Sequence, residues 1–175
     1  MKTEVVEKEK LTWRKLGLLK REYELMVKGQ SLAYLRQTGW WPVQAHVFES
    51  ATTTDPVLRV TRSGMWRQKL HVKTLDYRFP QMTPADLSWR GEVRLELDNG
   101  RFYHFHPANF WQTRWELCDA LGTPCLTLQR NTWNSGGDIT PGDISLPPDE
   151  MRFLIYVAWN ILIMKMDDQA AAAAA

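Results

Sequence analysis

Met151-Arg-Phe-Leu-Ile-Tyr-Val-Ala-Trp-Asn-Ile-Leu-Ile-Met-Lys-Met166 is the stretch on which the fold turns. Only Arg152, Asn160 and Lys165 are polar among its sixteen residues, so a helix here is apolar on nearly every face. Such a helix must be enclosed by protein or by lipid. At about 1.5 Å per residue it reaches roughly 24 Å, short of the ~30 Å hydrocarbon core of a bilayer. Asn160 near its centre further disfavours a membrane span, so enclosure by protein is expected. Pro147-Pro148 marks the start. Asp149 and Glu150 in the first turn and Lys165 in the last suit the helix dipole, which gives a core helix over 149–166.

The rest of the chain must supply the enclosure, and it reads as short strands broken by turns. Tyr23, Leu25 and Val27 alternate with other residues, as do Ala45 and Val47, Leu58 and Val60, and Leu70 and Val72. Glu92 to Asp98 and Arg101 to His106 flank Asn99-Gly100, the pair favoured in a type I′ hairpin turn. Arg114 to Asp119 leads through a glycine turn into Cys125 to Gln129. Strands at such spacing indicate a sandwich or barrel. A closed or nearly closed sheet around one central helix satisfies both elements, because the inner strand faces and the helix bury each other.

The chain has 175 residues and a mass of 20.4 kDa, a size for one domain that buries a core without disulfide or metal staples. Hydrophobic residues at 44% exclude intrinsic disorder of the bulk. A net charge of +2 argues against strong nucleic-acid binding. Two cysteines, Cys118 and Cys125, are too few for a secreted disulfide scaffold and are expected as buried thiols. The N-terminal ten residues alternate charges and lack the apolar run of a signal peptide, so a cytoplasmic protein is expected. The six alanines from Ala170 to Ala175 are set aside. The expected organisation is a charged tail over 1–10, one domain over 11–168 and a tail over 169–175.

From Leu11 to Asp168 the chain resembles the tubby C-terminal-like superfamily, which includes tubby-like proteins, phospholipid scramblases and LURP-one-related proteins. The carriers are Trp115-Glu-Leu-Cys-Asp-Ala-Leu-Gly-Thr-Pro-Cys-Leu-Thr-Leu-Gln-Arg130, similar to a strand, glycine turn and strand of that family, and the terminal apolar helix. The resemblance implies a mainly β fold: an antiparallel β-barrel of about twelve strands enclosing a hydrophobic C-terminal α-helix. The activities it implies differ by member, phosphoinositide binding and membrane tethering in tubby proteins and lipid scrambling in scramblases. No phosphoinositide-site residue of tubby proteins is carried over to this sequence. The proline-rich N-terminus and cysteine cluster of scramblases are missing, which sets lipid scrambling apart.

The strongest local signal is basic. Arg59, Arg62, Arg67, Lys69 and Lys73 fall between Val57 and Leu75 with no acid among them. Arg67, Lys69, His71 and Lys73 occupy every second position and share one face of a strand. A three-residue loop, Ser63-Gly64-Met65, pairs Leu58 with Leu70 and Arg59 with Lys69. It gives an odd-length loop and a five-residue basic face of Arg59, Arg67, Lys69, His71 and Lys73. Like charges across strands repel. Relief comes from acids such as Glu92, Glu96 and Asp98 on a neighbouring strand, or from an anionic ligand. Trp40, Trp41 and Trp66 either fill the barrel ends or, exposed at a rim, meet a membrane interface or protein partner beside that face. The other tryptophans, Trp13, Trp89, Trp111, Trp115, Trp133 and Trp159, read as core or turn packing.

His104 and His106 share a strand face, but no cysteine or carboxylate stands next to them in sequence, so no metal and no cofactor are expected. Asp138 and Asp143 read as turn residues, and Asn160 as hydrogen-bonded inside the barrel. No nucleophile elbow, phosphate-cradling glycine loop or zinc-protease motif occurs. The expected function is a non-catalytic binding or tethering module for anionic lipid headgroups or a protein partner, cytoplasmic or peripherally membrane-bound. The alternatives are a subunit that docks another chain through a Trp-rich surface, or an enzyme with a site in a barrel-end pocket.

Overall fold

The computed structural model describes residues 9–17, 19–39, 42–131 and 136–174. The strands are β1 (Leu11–Lys15), β2 (Glu22–Val27), β3 (Gln30–Thr38), β4 (Val43–Phe48), β5 (Leu58–Ser63) and β6 (Gln68–Thr74). They continue as β7 (Ala85–Leu87), β8 (Val93–Glu96), β9 (Phe102–Pro107), β10 (Arg114–Cys118), β11 (Pro124–Arg130) and β12 (Gly136–Pro141). The helix α1 (Pro148–Ala173) follows. Each strand pairs with its neighbours in sequence, and β1 closes antiparallel on β12, so the sheet is a closed barrel of twelve strands. Closure leaves no strand edge open to pairing with another chain.

The alternation seen in the sequence is the alternation of the barrel wall. In β8, Val93 and Leu95 point inward while Arg94 and Glu96 are exposed; in β6, Leu70 and Val72 point inward while Lys69, His71 and Lys73 are exposed. Every residue of α1 from Glu150 to Lys165 is buried. The absence of a polar stripe thus has its physical cause: strands surround the helix on all sides, and each large apolar side chain gains roughly 1.5–3 kcal/mol on leaving water.

Pro148 is the first helical residue, and Asp149 and Glu150 lie in the first turn, as expected. The other end differs. The helix does not stop near Met166 but runs through the alanines to Ala173, which need no partner because alanine has the highest intrinsic helix propensity. Lys165 is therefore not in the last turn; its Nζ donates to the Trp89 carbonyl at 2.8 Å. Asp167 and Asp168, with Gln169 of the expected tail, bind the barrel mouth, through Arg21 at 3.3 Å, Arg62 at 2.6 Å and Arg130 at 2.8 Å. Asn160 is fully buried, but no hydrogen-bond partner for its amide is found among the described residues, contrary to expectation.

Two turns also differ from expectation. Leu97 N–H bonds the Arg101 carbonyl at 2.9 Å, closing a three-residue loop in which only Gly100 has positive φ, at +82°. That is a type I turn with a bulge at glycine, whose twist also suits a hairpin. The type I′ geometry occurs instead at Lys28-Gly29, where both residues have positive φ, 49° and 74°. The tail expected over 1–10 lies outside the described residues up to 8. Glu9 and Lys10, just ahead of β1, are tied to the barrel by ion pairs with Lys28 and Asp138.

Strand direction alternates, so the β1–β2, β3–β4, β5–β6, β7–β8, β9–β10 and β11–β12 loops share one end of the barrel. This is the end from which α1 emerges. At the opposite end the helix start is fixed by buried ion pairs. Arg152 meets Glu49 at 3.2 Å, and Glu150 accepts from Arg101 at 3.0 Å, Asn99 at 3.2 Å and the Tyr103 hydroxyl.

Candidate functional site

The β5–β6 hairpin carries the basic face, with a register different from the expected one. Arg59 pairs with Lys73, Thr61 with His71 and Ser63 with Lys69. The last pair before the turn is Ser63 with Lys69, which leaves five residues between them rather than three, so the odd spacing stands but Leu58 faces Thr74 instead of Leu70. A slip by an odd number of residues would have flipped every side chain, whereas this slip of four keeps both faces intact. The longer loop is built around Gly64, at φ +89°, where a Cβ would lie 2.2 Å from the Arg67 carbonyl oxygen.

Arg59, Lys69, His71 and Lys73 are thus exposed on one outer face, and Arg67 is exposed in the loop above them. The face is broader than the sequence suggested. Arg36 of β3 pairs with His46 of β4, which pairs with Arg59, which pairs with Lys73, a row of three cations and one imidazole across the wall. Arg36 and His46 were missed because they lie in separate strands far from the basic run. The available signal was their outward position in an alternating pattern.

Counter-charge on this face is sparse. Arg36 is held by Glu22 at 2.9 Å and lies over the Phe48 ring. Lys69 has Asp86 of β7 at 4.0 Å. Glu92, Glu96 and Asp98 do not serve as the expected partners, because β7 stands between β6 and β8 and Glu96 lies by Arg94 at 4.0 Å. Among the described residues, no carboxylate lies within ion-pair distance of Arg59, Arg67 or Lys73.

Arg59 instead donates its Nε–H to His46 Nε2 at 3.1 Å. Burial first, then Arg59 and Arg36, holds the His46 imidazole below its ordinary value of 6.5. The unfolded chain therefore binds this proton before the folded chain does, so stability falls as pH drops below about 6.5. His46→Gln, which keeps an acceptor for Arg59, should flatten that fall. Urea denaturation between about pH 7 and about pH 5.5 checks it, and an unchanged slope would show that His46 does not contribute.

Trp66 at the hairpin tip is 96% exposed, beside exposed Met65. Trp40, Trp41 and Trp133 lie outside the described residues. Trp13, Trp115 and Trp159 are core residues, as expected, but Trp89 and Trp111 are exposed at 79% and 78%. With Phe110 and Leu19 they lie in loops at the α1-exit end, so exposed rings ring that mouth. Trp66, Arg67, Asp86, Trp89, Arg94 and His104 line an open cleft of about 530 Å³ between the β5–β6 tip and the β7–β8 loop. Arg90 stacks over the Trp89 ring at 4.9 Å. The cleft thus sets two arginines, Arg67 and Arg94, beside two carboxylates, Asp86 and Glu92, and the flat ring faces of Trp66 and Trp89.

The two cysteines are free and buried, and burial pushes the Cys125 thiol up to about 12. Asp138 is not in a turn but in β12, paired with Lys10 at 2.9 Å. Compared with family models, curated proteins and solved structures, the chain matches none.

Proposed function

We propose that the protein is a non-catalytic module that tethers to anionic membrane surfaces, with phosphoinositide-like headgroups held by Arg59, Arg67, Lys69, His71 and Lys73. One observation carries this reading: a hairpin whose tip exposes Met65 and Trp66 also bears a basic face with little counter-charge of its own. Clustered cations are drawn to anionic lipid by about 1 kcal/mol each near the surface. Indole rings sit well at the boundary between headgroups and acyl chains. Elsewhere the outward wall is polar, as in Arg14, Arg94, Glu96 and Gln129, so the reading is a barrel resting on lipid through one hairpin. No helix among the described residues is long and apolar enough to cross a membrane. The observed helix-filled barrel of twelve strands fits the proposed kinship with tubby-like proteins.

Flotation with vesicles of phosphatidylcholine alone, or with added phosphatidylserine or phosphoinositide, tests the proposal. Binding to the anionic vesicles only is expected, weakening as salt rises. Lys69→Glu/Lys73→Glu should reduce it at least about 30-fold, because two lysines at ~1 kcal/mol each are lost. Trp66→Ala should weaken it with little change in salt dependence. No flotation, or flotation unchanged in the double variant, overturns the reading. The exposed Trp89, Phe110 and Trp111 favour the second reading, a subunit that docks another chain. A stable assembly indifferent to lipid, seen by light scattering, would select it.

A further inference from the structure

The β9–β10 pairing brings His106 to two residues ten and twelve positions further along the chain. Glu116 lies opposite His106, and Cys118, two residues further along the same strand, shares its outward face. Imidazole nitrogen, carboxylate oxygen and thiol sulfur all lie within 4.8 Å of one another. The expectation of no metal rested on the lack of a neighbouring cysteine or carboxylate, and the strand pairing supplies both.

One pair of these atoms already has the spacing of neighbours in a coordination shell. Cys118 Sγ and His106 Nε2 are 3.6 Å apart. Zinc bonds of about 2.3 Å to sulfur and about 2.0–2.1 Å to nitrogen, at a tetrahedral angle, put those two atoms about 3.6 Å apart. The imidazole is also presented in the right form. Its Nδ1 lies 3.3 Å from the Pro107 carbonyl oxygen, a contact that only a protonated Nδ1 can satisfy. Nε2 is then the unprotonated nitrogen and accepts from the Cys118 thiol, a contact that a metal ion would replace, and metal-bound histidines are usually held by a backbone carbonyl in this way.

Glu116 currently accepts from Arg114 at 2.9 Å. Arg114 is half exposed, and such a pair contributes only ~0–1 kcal/mol, so the carboxylate can turn to a cation at little cost. His106 and Glu116 are partly exposed, so an ion reaches the site from the outer wall.

We infer that His106, Glu116 and Cys118 form a binding site for a zinc-class divalent cation, with three protein ligands and a fourth position open to water. Thiolate and imidazole select borderline or soft ions, whereas magnesium and calcium take oxygen ligands. On binding, Cys118 loses its thiol proton to solvent and the thiolate bonds the metal. The site lies on β9 and β10, away from the β5–β6 face, so it stands or falls independently of the proposed lipid binding.

Titration of the full chain with cobalt(II), the spectroscopic stand-in for zinc, tests the inference. One equivalent should bind, with a thiolate-to-cobalt charge-transfer band and the visible bands of a four-coordinate ion, and zinc should displace it. Cys118→Ser should abolish the charge-transfer band, and His106→Gln should weaken binding at least about 100-fold, as loss of a ligand exceeds the loss of an outer-shell partner. Cys125→Ser, at a fully buried position, should leave both unchanged. Circular dichroism confirms that each variant is folded. Absence of the band in the wild type, or its persistence in Cys118→Ser, overturns the site.

Discussion

Trp159→Ala is expected to lower the unfolding free energy by about 3–5 kcal/mol, the range for emptying a large aromatic site in a packed core. Trp159 is fully buried near the middle of α1, with Tyr156 and Ile163 on the same side of the helix also fully buried. Strands surround it on every side, so no wall is free to collapse into the cavity. That places the loss towards the upper part of the range. For a domain of this size, each kcal/mol corresponds to roughly 2–4 °C, so a fall of about 6–20 °C in Tm is expected. Phe110→Ala serves as the contrast. Its ring is exposed in the β9–β10 loop, and the change should stay within about 0.5 kcal/mol. Thermal unfolding followed by far-UV circular dichroism measures both. Equal midpoints for Trp159→Ala and the wild type would mean that α1 does not fill the barrel.

The second large effect concerns charge rather than volume. The Arg152 side chain is 5% exposed, and Glu49 is its ion-pair partner at 3.2 Å. Glu49 also accepts from the Tyr156 hydroxyl at 3.1 Å and from Arg78 at 2.9 Å. Removing this carboxylate strands a guanidinium inside the barrel mouth, and breaking a buried pair in this way costs about 3–5 kcal/mol. Glu49→Ala should therefore be strongly destabilising. The pair itself need not be stabilising, because each ion gave up its hydration to form it. Glu49→Ala/Arg152→Met should accordingly recover much of the loss, since the methionine stem fills the space of the arginine without a charge. Urea denaturation of the two single variants and the double variant gives the coupling directly. Additive losses would show that Arg152 is compensated elsewhere.

The elements that the sequence displayed best are those governed by local periodicity. The greasy run around Trp159, the proline start of α1 and the two-residue alternation of β6 and β8 follow from the geometry of one element at a time. The basic face was legible for the same reason, since Lys69, His71 and Lys73 alternate along a single strand. Its full extent was not, because Arg36 and His46 join it only through hydrogen-bonded neighbours. The hairpin loop shows the limit well. Odd length followed from matching faces, but the choice between three residues and five depends on where Gly64 allows the chain to reverse.

The sequence by itself determined that an apolar rod had to be enclosed and that alternating strands had to enclose it, because burial of apolar surface acts on each segment independently of its distant partners. Only the tertiary structure decided which side chains meet. It set Glu116 and Cys118 beside His106, seated Glu49 against Arg152, and left Trp89 and Trp111 in the open where packing had been expected. These pairings depend on strand register around the whole cylinder. Register is a collective property: closing twelve strands on one helix fixes each offset through the sum of all the others.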